Sequence, residues 1–187
     1  KNTTADNNTA VGQACLHENT TGDNNVAVGF EALKTEDTAS RSTAVGYRAL
    51  VANTCGNKNI AVGSYALGAN TTGSNNTSIG YAALASNTTT SHNTAVGYYS
   101  LNASSGGNNA CFGYQSGKAN TTGDSNTAIG MQALRNMEPG DGDGANSWAG
   151  TQSICCSKRV SIARSGIDCR RSFGSDRHDA FKRIHSS

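Results

Sequence analysis

Cysteine is the residue type in this 187-residue chain that offers the clearest covalent chemistry, with six copies. Cys155, Cys156 and Cys169 fall together in the last part of the sequence. Adjacent cysteines seldom bridge each other, so these three predict disulfides between chains rather than within one. No Cys-x-x-Cys pair or zinc-type cysteine and histidine spacing occurs, and we expect no metal ion.

An acidic segment is the second candidate for chemistry, because Glu138, Asp141 and Asp143 alternate with glycine as carboxylates do in calcium-binding loops. The EF-hand pattern fails, since Asn146 and Gln152 stand where it requires Gly and Glu. We therefore expect an exposed turn. The four histidines share no spacing with a nucleophile, and no phosphate-binding glycine loop is present. The sequence predicts no enzyme and no cofactor.

A repeat organises most of the remaining residues. Its most regular member is a glycine, which recurs at Gly12, Gly29, Gly46, Gly63, Gly80, Gly97, Gly113 and Gly130. Successive glycines are 17 residues apart, except for one interval of 16 between Gly97 and Gly113. A further copy at Gly150 follows after 20 residues, which indicates an insertion of three.

We use "column" for the residues that occupy one position relative to this anchor glycine in successive repeats. The column just before the glycine is apolar and holds Val11, Val28, Val45, Val62, Ile79, Val96, Phe112 and Ile129. The column four residues after it holds Leu16, Leu33, Leu50, Leu67, Leu84, Leu101 and Leu134, with Gly117 as the exception. The column four residues before it holds Asn8, Asn25, Asn59, Asn76, Asn93, Asn109 and Asn126, with Ser42 as the exception.

A 17-residue unit is too short for helical repeats, which need two helices and roughly 33–47 residues. β-Branched residues alternating with Asn, Gly and Thr turns favour short strands, one stacked on the next. The sequence therefore predicts an all-β fold, a β-solenoid of 17-residue coils over residues 1–153, with about nine rungs. The Val/Ile and Leu columns are expected to form its apolar spine, and the Asn column a ladder of amides between rungs.

Self-association is expected because each rung buries few large apolar side chains. Hydrophobic residues make up 35% of the chain and charged residues 15%. Burying a Val or Leu contributes about 1.5–3 kcal/mol, whereas ordering one residue costs more than about 1 kcal/mol, so a single coil is close to break-even. Faces shared between chains would help, and two columns could supply them. The Ala column stands two residues before the anchor glycine, and a broken aromatic column stands one residue after it, at Phe30, Tyr47, Tyr81, Tyr98 and Tyr114. We therefore expect a homotrimer. No apolar run is long enough to span a bilayer, so no membrane insertion is expected.

The best repeat copies, Asn93 to Leu101 and the Asn-Thr-Thr-Gly turn from Asn70 to Gly73, resemble the repeats of phage and large-virus tail fibres. They are more distantly similar to the head repeats of YadA-type trimeric autotransporter adhesins. The resemblance covers about residues 2–154. It implies a trimeric, left-handed β-roll that serves as the shaft or adhesive head of a fibre outside a cell or on a virion, with a host-surface receptor or glycan as partner.

The sequence changes character at Ile154, where the repeat ends. Residues 154–187 hold eight Lys and Arg against three Asp and Glu, whereas residues 1–153 hold seven against ten. We expect a basic cap or tail, short and irregular or helical, although docking on an acidic partner stays open as an alternative. Nothing in it resembles a nucleic-acid-binding module, and no nucleic acid is expected as a partner.

Two classes of function follow from the repeat. The first is a non-enzymatic fibre subunit, structural or adhesive, which self-assembles as a homotrimer or end to end into filaments, since the solenoid begins in mid-rung. The second is an ice-binding solenoid, in which stacked Thr and Asn side chains template a lattice. The repeat also creates nine N-glycosylation sequons, which could decorate one edge of the rod, at Asn2, Asn7, Asn19, Asn70, Asn75, Asn76, Asn87, Asn102 and Asn120.

Overall fold

The computed structural model describes residues 3–135 and 147–149 of the chain. These residues form nine three-residue strands and no helix. The strands are β1 (Thr9–Val11), β2 (Val26–Val28), β3 (Thr43–Val45), β4 (Ile60–Val62), β5 (Thr77–Ile79), β6 (Thr94–Val96), β7 (Ala110–Phe112), β8 (Thr127–Ile129) and β9 (Ser147–Ala149). They make one parallel sheet in sequence order, which confirms the predicted all-β solenoid.

Strand pairing follows the repeat of the sequence. Ala27 pairs with Ala44, and the same 17-residue offset joins the successive strands from β1 to β6. The shorter repeat pairs Ala95 with Cys111 at an offset of 16 and is absorbed in a turn, where the Ser105 amide still donates to the Thr121 carbonyl at 2.7 Å. Strand pairing therefore survives the one-residue deletion.

Rung-to-rung hydrogen bonds continue outside the strands. The backbone amide of Leu33 donates to the Ala49 carbonyl at 3.1 Å, and that of Arg41 donates to the Asp23 carbonyl at 2.9 Å. These bonds lie on different sides of the coil, so each coil is bonded to its neighbours around much of its perimeter. Such pairing satisfies backbone groups that three-residue strands alone would leave unpaired.

The interior of the coils is built from small and medium-sized side chains. The leucines are fully buried at Leu33, Leu50, Leu67, Leu84 and Leu101, and Leu16 and Leu134 pack against them as partly buried residues. The opposite wall is the column two residues before the anchor glycine, where Ala27, Ala44, Ala61, Ser78, Ala95, Cys111 and Ala128 are buried.

The predicted place of the Val/Ile column in the apolar spine is wrong. Successive side chains of a strand point to opposite faces, and the strand buries its central alanine, so the residue that follows must point outwards. Val11, Val28, Val45, Val62, Ile79, Val96, Phe112 and Ile129 are accordingly exposed or half-buried. The prediction that the Ala column offers a face to another chain is also wrong, because that column lines the interior.

Left-handed backbone recurs at fixed positions in every coil. The buried leucines have φ of 46–51°, and two further columns, represented by Arg48 and Lys58, have φ of 54° and 58°. The anchor glycines have φ of 124–137°. This conformation is costly for residues with a β-carbon, so the stacked neighbours must hold it in place.

Candidate functional site

The most distinctive external feature is the outward-facing Val/Ile column, which we call the outer apolar row. Its members are Val11, Val28, Val45, Val62, Ile79, Val96, Phe112 and Ile129. Four of them, at 57%, 40%, 39% and 44% exposure for Val11, Ile79, Phe112 and Ile129, are large apolar side chains open to solvent. A continuous apolar stripe of this kind is unusual on a protein that stays monomeric.

An aromatic row runs beside it and contains Phe30, Tyr47, Tyr65, Tyr81, Tyr98, Tyr99 and Tyr114. The rings of Phe30 and Tyr47 stack with centroids 5.3 Å apart, and Tyr81, Tyr98 and Tyr114 stack in succession at 5.3 and 5.5 Å. Tyr65 comes from the next position along the chain and bridges the gap at Ser64 with edge-on contacts to Tyr47 and Tyr81. The row is continuous because the rungs repeat at the stacking distance of aromatic rings.

The predicted Asn column forms a ladder, which we call the strand ladder, from Asn8, Asn25, Ser42, Asn59, Asn76, Asn93, Asn109 and Asn126. Its bonds run between side chain and backbone rather than between amides. The Oδ1 of Asn25 accepts from the Ser42 amide at 2.8 Å, and its Nδ2 donates to the Ala39 carbonyl at 2.9 Å. Asn76 and Asn93 repeat this arrangement, so each of these three Asn side chains pins the following rung.

A second ladder was missed by the sequence reasoning, which treated its members as turn residues. This turn ladder contains Asn19, Glu36, Asn53, Asn70, Asn87, Ser104 and Asn120, and all of them are buried. Here the amides bond to one another, since Asn70 Nδ2 donates to Asn53 Oδ1 at 2.8 Å and Asn87 Nδ2 donates to Asn70 Oδ1 at 2.9 Å. The constant Asn at the start of each Asn-Thr-Thr-Gly turn was the signal that could have revealed it.

Glu36 interrupts the turn ladder with a fully buried carboxyl group. Asn53 Nδ2 donates to its Oε2 at 3.1 Å, while its Oε1 has no hydrogen-bond partner. Burial raises the pKa of Glu36 to about 8, and the Asn53 hydrogen bond opposes the rise only in part. A carboxyl group in this place is therefore protonated in the folded chain at neutral pH.

A charged cluster lies on the same coils as Glu36 but outside the turn ladder. Glu31 accepts from Lys34 Nζ at 2.6 Å and pairs with Arg48 Nε at 3.1 Å. The Lys34 hydrogen bond, more than any other contact, lowers the pKa of Glu31. The cluster joins two rungs through half-buried ion pairs.

The glycosylation sequons divide into accessible and inaccessible sites. Asn7 and Asn75 are exposed and Asn102 is half-buried, while Asn2 lies outside the described residues. The other five asparagines are buried members of the two ladders, at Asn19, Asn70, Asn76, Asn87 and Asn120. Decoration of one edge at all nine sequons is therefore ruled out, because a glycan cannot be attached to an amide that is buried and hydrogen-bonded.

The cysteines of the described residues are free thiols, and they do not meet. Cys111 is buried in the Ala column, where desolvation raises the pKa of its thiol to about 12, Cys15 is partly buried, and Cys55 is exposed. The predicted interchain disulfides of Cys155, Cys156 and Cys169, the acidic segment and the basic cap of residues 154–187 lie outside the described residues. Within residues 3–135 no group of His, Cys, Asp and Glu is arranged to hold a metal ion.

No family model, curated protein or solved structure matches the chain. In the described part, no helix has the length and apolar character needed to cross a membrane. The candidate site is thus a surface, defined by the outer apolar row and the aromatic row on a ladder-bonded rod.

Proposed function

We propose that the chain is a non-enzymatic subunit of an extracellular or virion surface fibre, with a structural or adhesive role, and that it associates with copies of itself. The observation that carries the proposal is the outer apolar row. It extends over eight rungs on one side of the rod, where a self-complementary partner can cover it. A homotrimer brings three outer apolar rows together around one axis, so that the three rows cover one another. Only a dimer would cover them with fewer chains.

The coils themselves favour this role. Two buried ladders and rung-to-rung backbone bonds make the rod stiff along its length, while each coil contributes only a leucine and small residues to the core. Such a molecule presents a closely similar surface at successive rungs. Repetition of one surface at fixed spacing suits a shaft or a multivalent adhesive head with a host-surface receptor or glycan.

A charge in the outer apolar row tests the association. The purified chain is expected to be an oligomer by sedimentation velocity at micromolar concentration, and the double variant Ile79→Asp/Phe112→Asp is expected to be monomeric with an unchanged far-UV circular dichroism spectrum. The control Thr72→Asp/Thr89→Asp places the same charges on exposed turn positions and should leave the oligomer intact. A wild-type chain that sediments as a monomer would contradict self-association, and electron micrographs of the oligomer would distinguish short trimeric rods from end-to-end filaments.

Ice binding is the second candidate, and a specific observation keeps it. Thr43 and Val45 point outwards from one strand, as do Thr77 and Ile79 and as do Thr94 and Val96, so the outer sheet face carries threonine on several rungs, with Ile60 at the equivalent position between Thr43 and Thr77. Measurement of thermal hysteresis in the purified chain decides the matter, since a clear gap between melting and freezing would favour this function over a fibre role.

A further inference from the structure

All six tyrosines of the chain lie in the aromatic row. They occupy successive rungs between Tyr47 and Tyr114, and each has another tyrosine ring within 6.2 Å, measured between centroids. The fibre role does not require such a concentration, because any apolar side chain would extend the stripe. A phenol adds redox chemistry that valine and phenylalanine lack.

The stacked contacts that join one tyrosine to another lie at the C-terminal end of the row. Tyr98 stacks on Tyr81 with an interplanar angle of 16° and on Tyr114 with an angle of 11°. Rings that stack on each other cover their own faces, so the row does not offer platforms on which a sugar ring could stack. Their edges remain open, since Tyr81, Tyr98 and Tyr114 are 42–45% exposed.

We propose that Tyr81, Tyr98 and Tyr114 form a site of intrachain dityrosine cross-linking, with a peroxide-driven one-electron oxidant such as a haem peroxidase as the reagent. Each of two neighbouring phenols gives up one electron and one proton, and the two phenoxyl radicals form a carbon–carbon bond between their ortho carbons. Loss of the two ortho hydrogens as protons, which return to the phenolate oxygens, restores both aromatic rings. Hydrogen peroxide takes up the two electrons and two protons and leaves as two molecules of water.

The surroundings of the stack favour coupling within one chain. The rungs hold Tyr81 and Tyr98 in place through backbone bonds on either side, among them that from the Gly97 amide to the Ile79 carbonyl at 2.8 Å. Tyr99 packs edge-on against both rings at 5.5 and 4.6 Å, and its phenol raises the pKa of Tyr81. A radical formed anywhere in this group thus has a second phenol beside it, fixed in position before oxidation begins.

Each link would join consecutive rungs covalently. The Tyr81–Tyr98 link closes a loop of one repeat, and the Tyr98–Tyr114 link closes the shorter repeat that contains the one-residue deletion. Covalent closure restrains the unfolded chain as a disulfide does, so cross-linked protein should unfold at a higher Tm than the untreated protein.

Oxidation of the purified chain with a haem peroxidase and hydrogen peroxide tests the site. The expected product has dityrosine fluorescence, an intact mass lower by two hydrogen atoms per link, and cross-linked peptides that pair Tyr98 with Tyr81 or Tyr114. Its yield per chain should not change on tenfold dilution. Tyr98→Phe keeps a stacked ring that cannot become a phenoxyl radical and should reduce total dityrosine by more than half, whereas the matched variant Tyr47→Phe should leave most of it.

Three results would overturn the proposal. Links that form mainly between chains and decline on dilution would place the row in an interface instead. Equal dityrosine yields from wild type and Tyr98→Phe would show that the stack is not the reactive site, provided that circular dichroism shows both proteins to be folded. The same set of linked peptides from chain oxidised in denaturant would show that the rungs do not direct the coupling.

Discussion

The side-chain amide of Asn70 donates to the side-chain oxygen of Asn53 across one rung, at 2.8 Å, in an interior where neither residue is exposed. The same Nδ2 also donates to the Gly73 carbonyl within its own turn at 3.0 Å. One nitrogen therefore fixes both the shape of the turn and its position on the rung below. This relationship explains how coils with so few large apolar residues hold a single arrangement.

Replacing Asn70 by Asp should destabilise the solenoid strongly. The carboxylate keeps the shape of the amide but has no N–H to donate. Asn53 Oδ1 and the Gly73 carbonyl therefore each lose the hydrogen bond from residue 70 in a buried site. We expect a loss of about 3 kcal/mol in the free energy of unfolding, measured by urea denaturation at pH 7. The control Asn75→Asp changes an exposed residue and should cost less than about 0.5 kcal/mol. Equal effects of the two substitutions would contradict a structural turn ladder.

Glu36 should make stability depend on pH in a direction unusual for a carboxylic acid. Because burial raises its pKa from 4.5 to about 8, the folded chain holds a proton that the unfolded chain releases. This difference in proton binding stabilises the folded chain fully below pH 4.5, and the stabilisation is lost as the pH rises to about 8. It amounts to several kcal/mol, because one pKa unit is worth about 1.4 kcal/mol. Glu36→Gln should abolish this loss in urea denaturation between pH 5 and pH 8.

Glu31→Gln is the matched control for Glu36, because it changes a carboxylate on the same coil. The pKa of Glu31 is lowered by Lys34, so its contribution is present above pH 4.5 and is lost as the pH falls. The two variants should therefore change the pH profile in opposite directions. A Glu36→Gln profile parallel to that of wild type from pH 5 to pH 8 would show that the buried carboxyl is not responsible.

Gly63→Ala should prevent correct stacking of two rungs. A β-carbon on Gly63 would lie 2.5 Å from the Gly80 carbonyl oxygen of the next rung, and the φ of 134° disfavours any residue with a side chain. We expect a loss of more than about 4 kcal/mol in thermal or urea unfolding. The control Gly68→Ala falls in a column that holds Val51 and Ala85 on the neighbouring rungs and should change stability by less than about 1 kcal/mol. A stable Gly63→Ala protein would contradict the close approach of the anchor glycines.

Lys58→Gly should stabilise the chain. Lys58 is exposed and has a φ of 58°, a conformation that costs a residue with a β-carbon roughly 1–2 kcal/mol, while the greater freedom of glycine in the unfolded chain removes about 0.5–1 kcal/mol of the gain. The net gain should be about 1 kcal/mol, measured as a rise in the midpoint of urea denaturation. Lys58→Ala keeps the β-carbon and serves as control, since it should give no gain.

The repeat made the fold predictable, and the narrow interior explains why the predicted core residues were partly wrong. Anchor spacing alone specified which strands pair and at which offset, as Ala27 and Ala44 do. Hydrophobicity then favoured Val28 over Ala27 for the core, although adjacent residues of a strand cannot both face inwards. The informative difference was variability in size, since from Ala10 to Ala128 the column of Ala27 holds only Ala, Ser and Cys, whereas the column of Val28 extends to Phe112 over the same rungs.

The surface was predicted in part. The sequence shows the aromatic column as a broken series and hides its continuity. Tyr65 stands two residues after its anchor glycine, one position beyond the column, and fills the gap only in three dimensions. The turn ladder was hidden for another reason, since Asn70 and its equivalents begin segments rich in Thr and Gly, which are typical of exposed turns. Burial of these amides depends on the stacking of neighbouring turns, which no single repeat reveals.

The strand ladder gives the rod a direction. Asn25 bonds through both its side-chain oxygen and its side-chain nitrogen to the coil that follows, and its backbone amide donates to the Oδ1 of Asn8 on the coil that precedes. The two surfaces of a coil therefore differ chemically, because the Asn side-chain groups face the following coil and the backbone amide faces the preceding one. Rods that join at their ends can continue the ladder only head to tail, so any filament of this chain would be polar, with two chemically distinct tips.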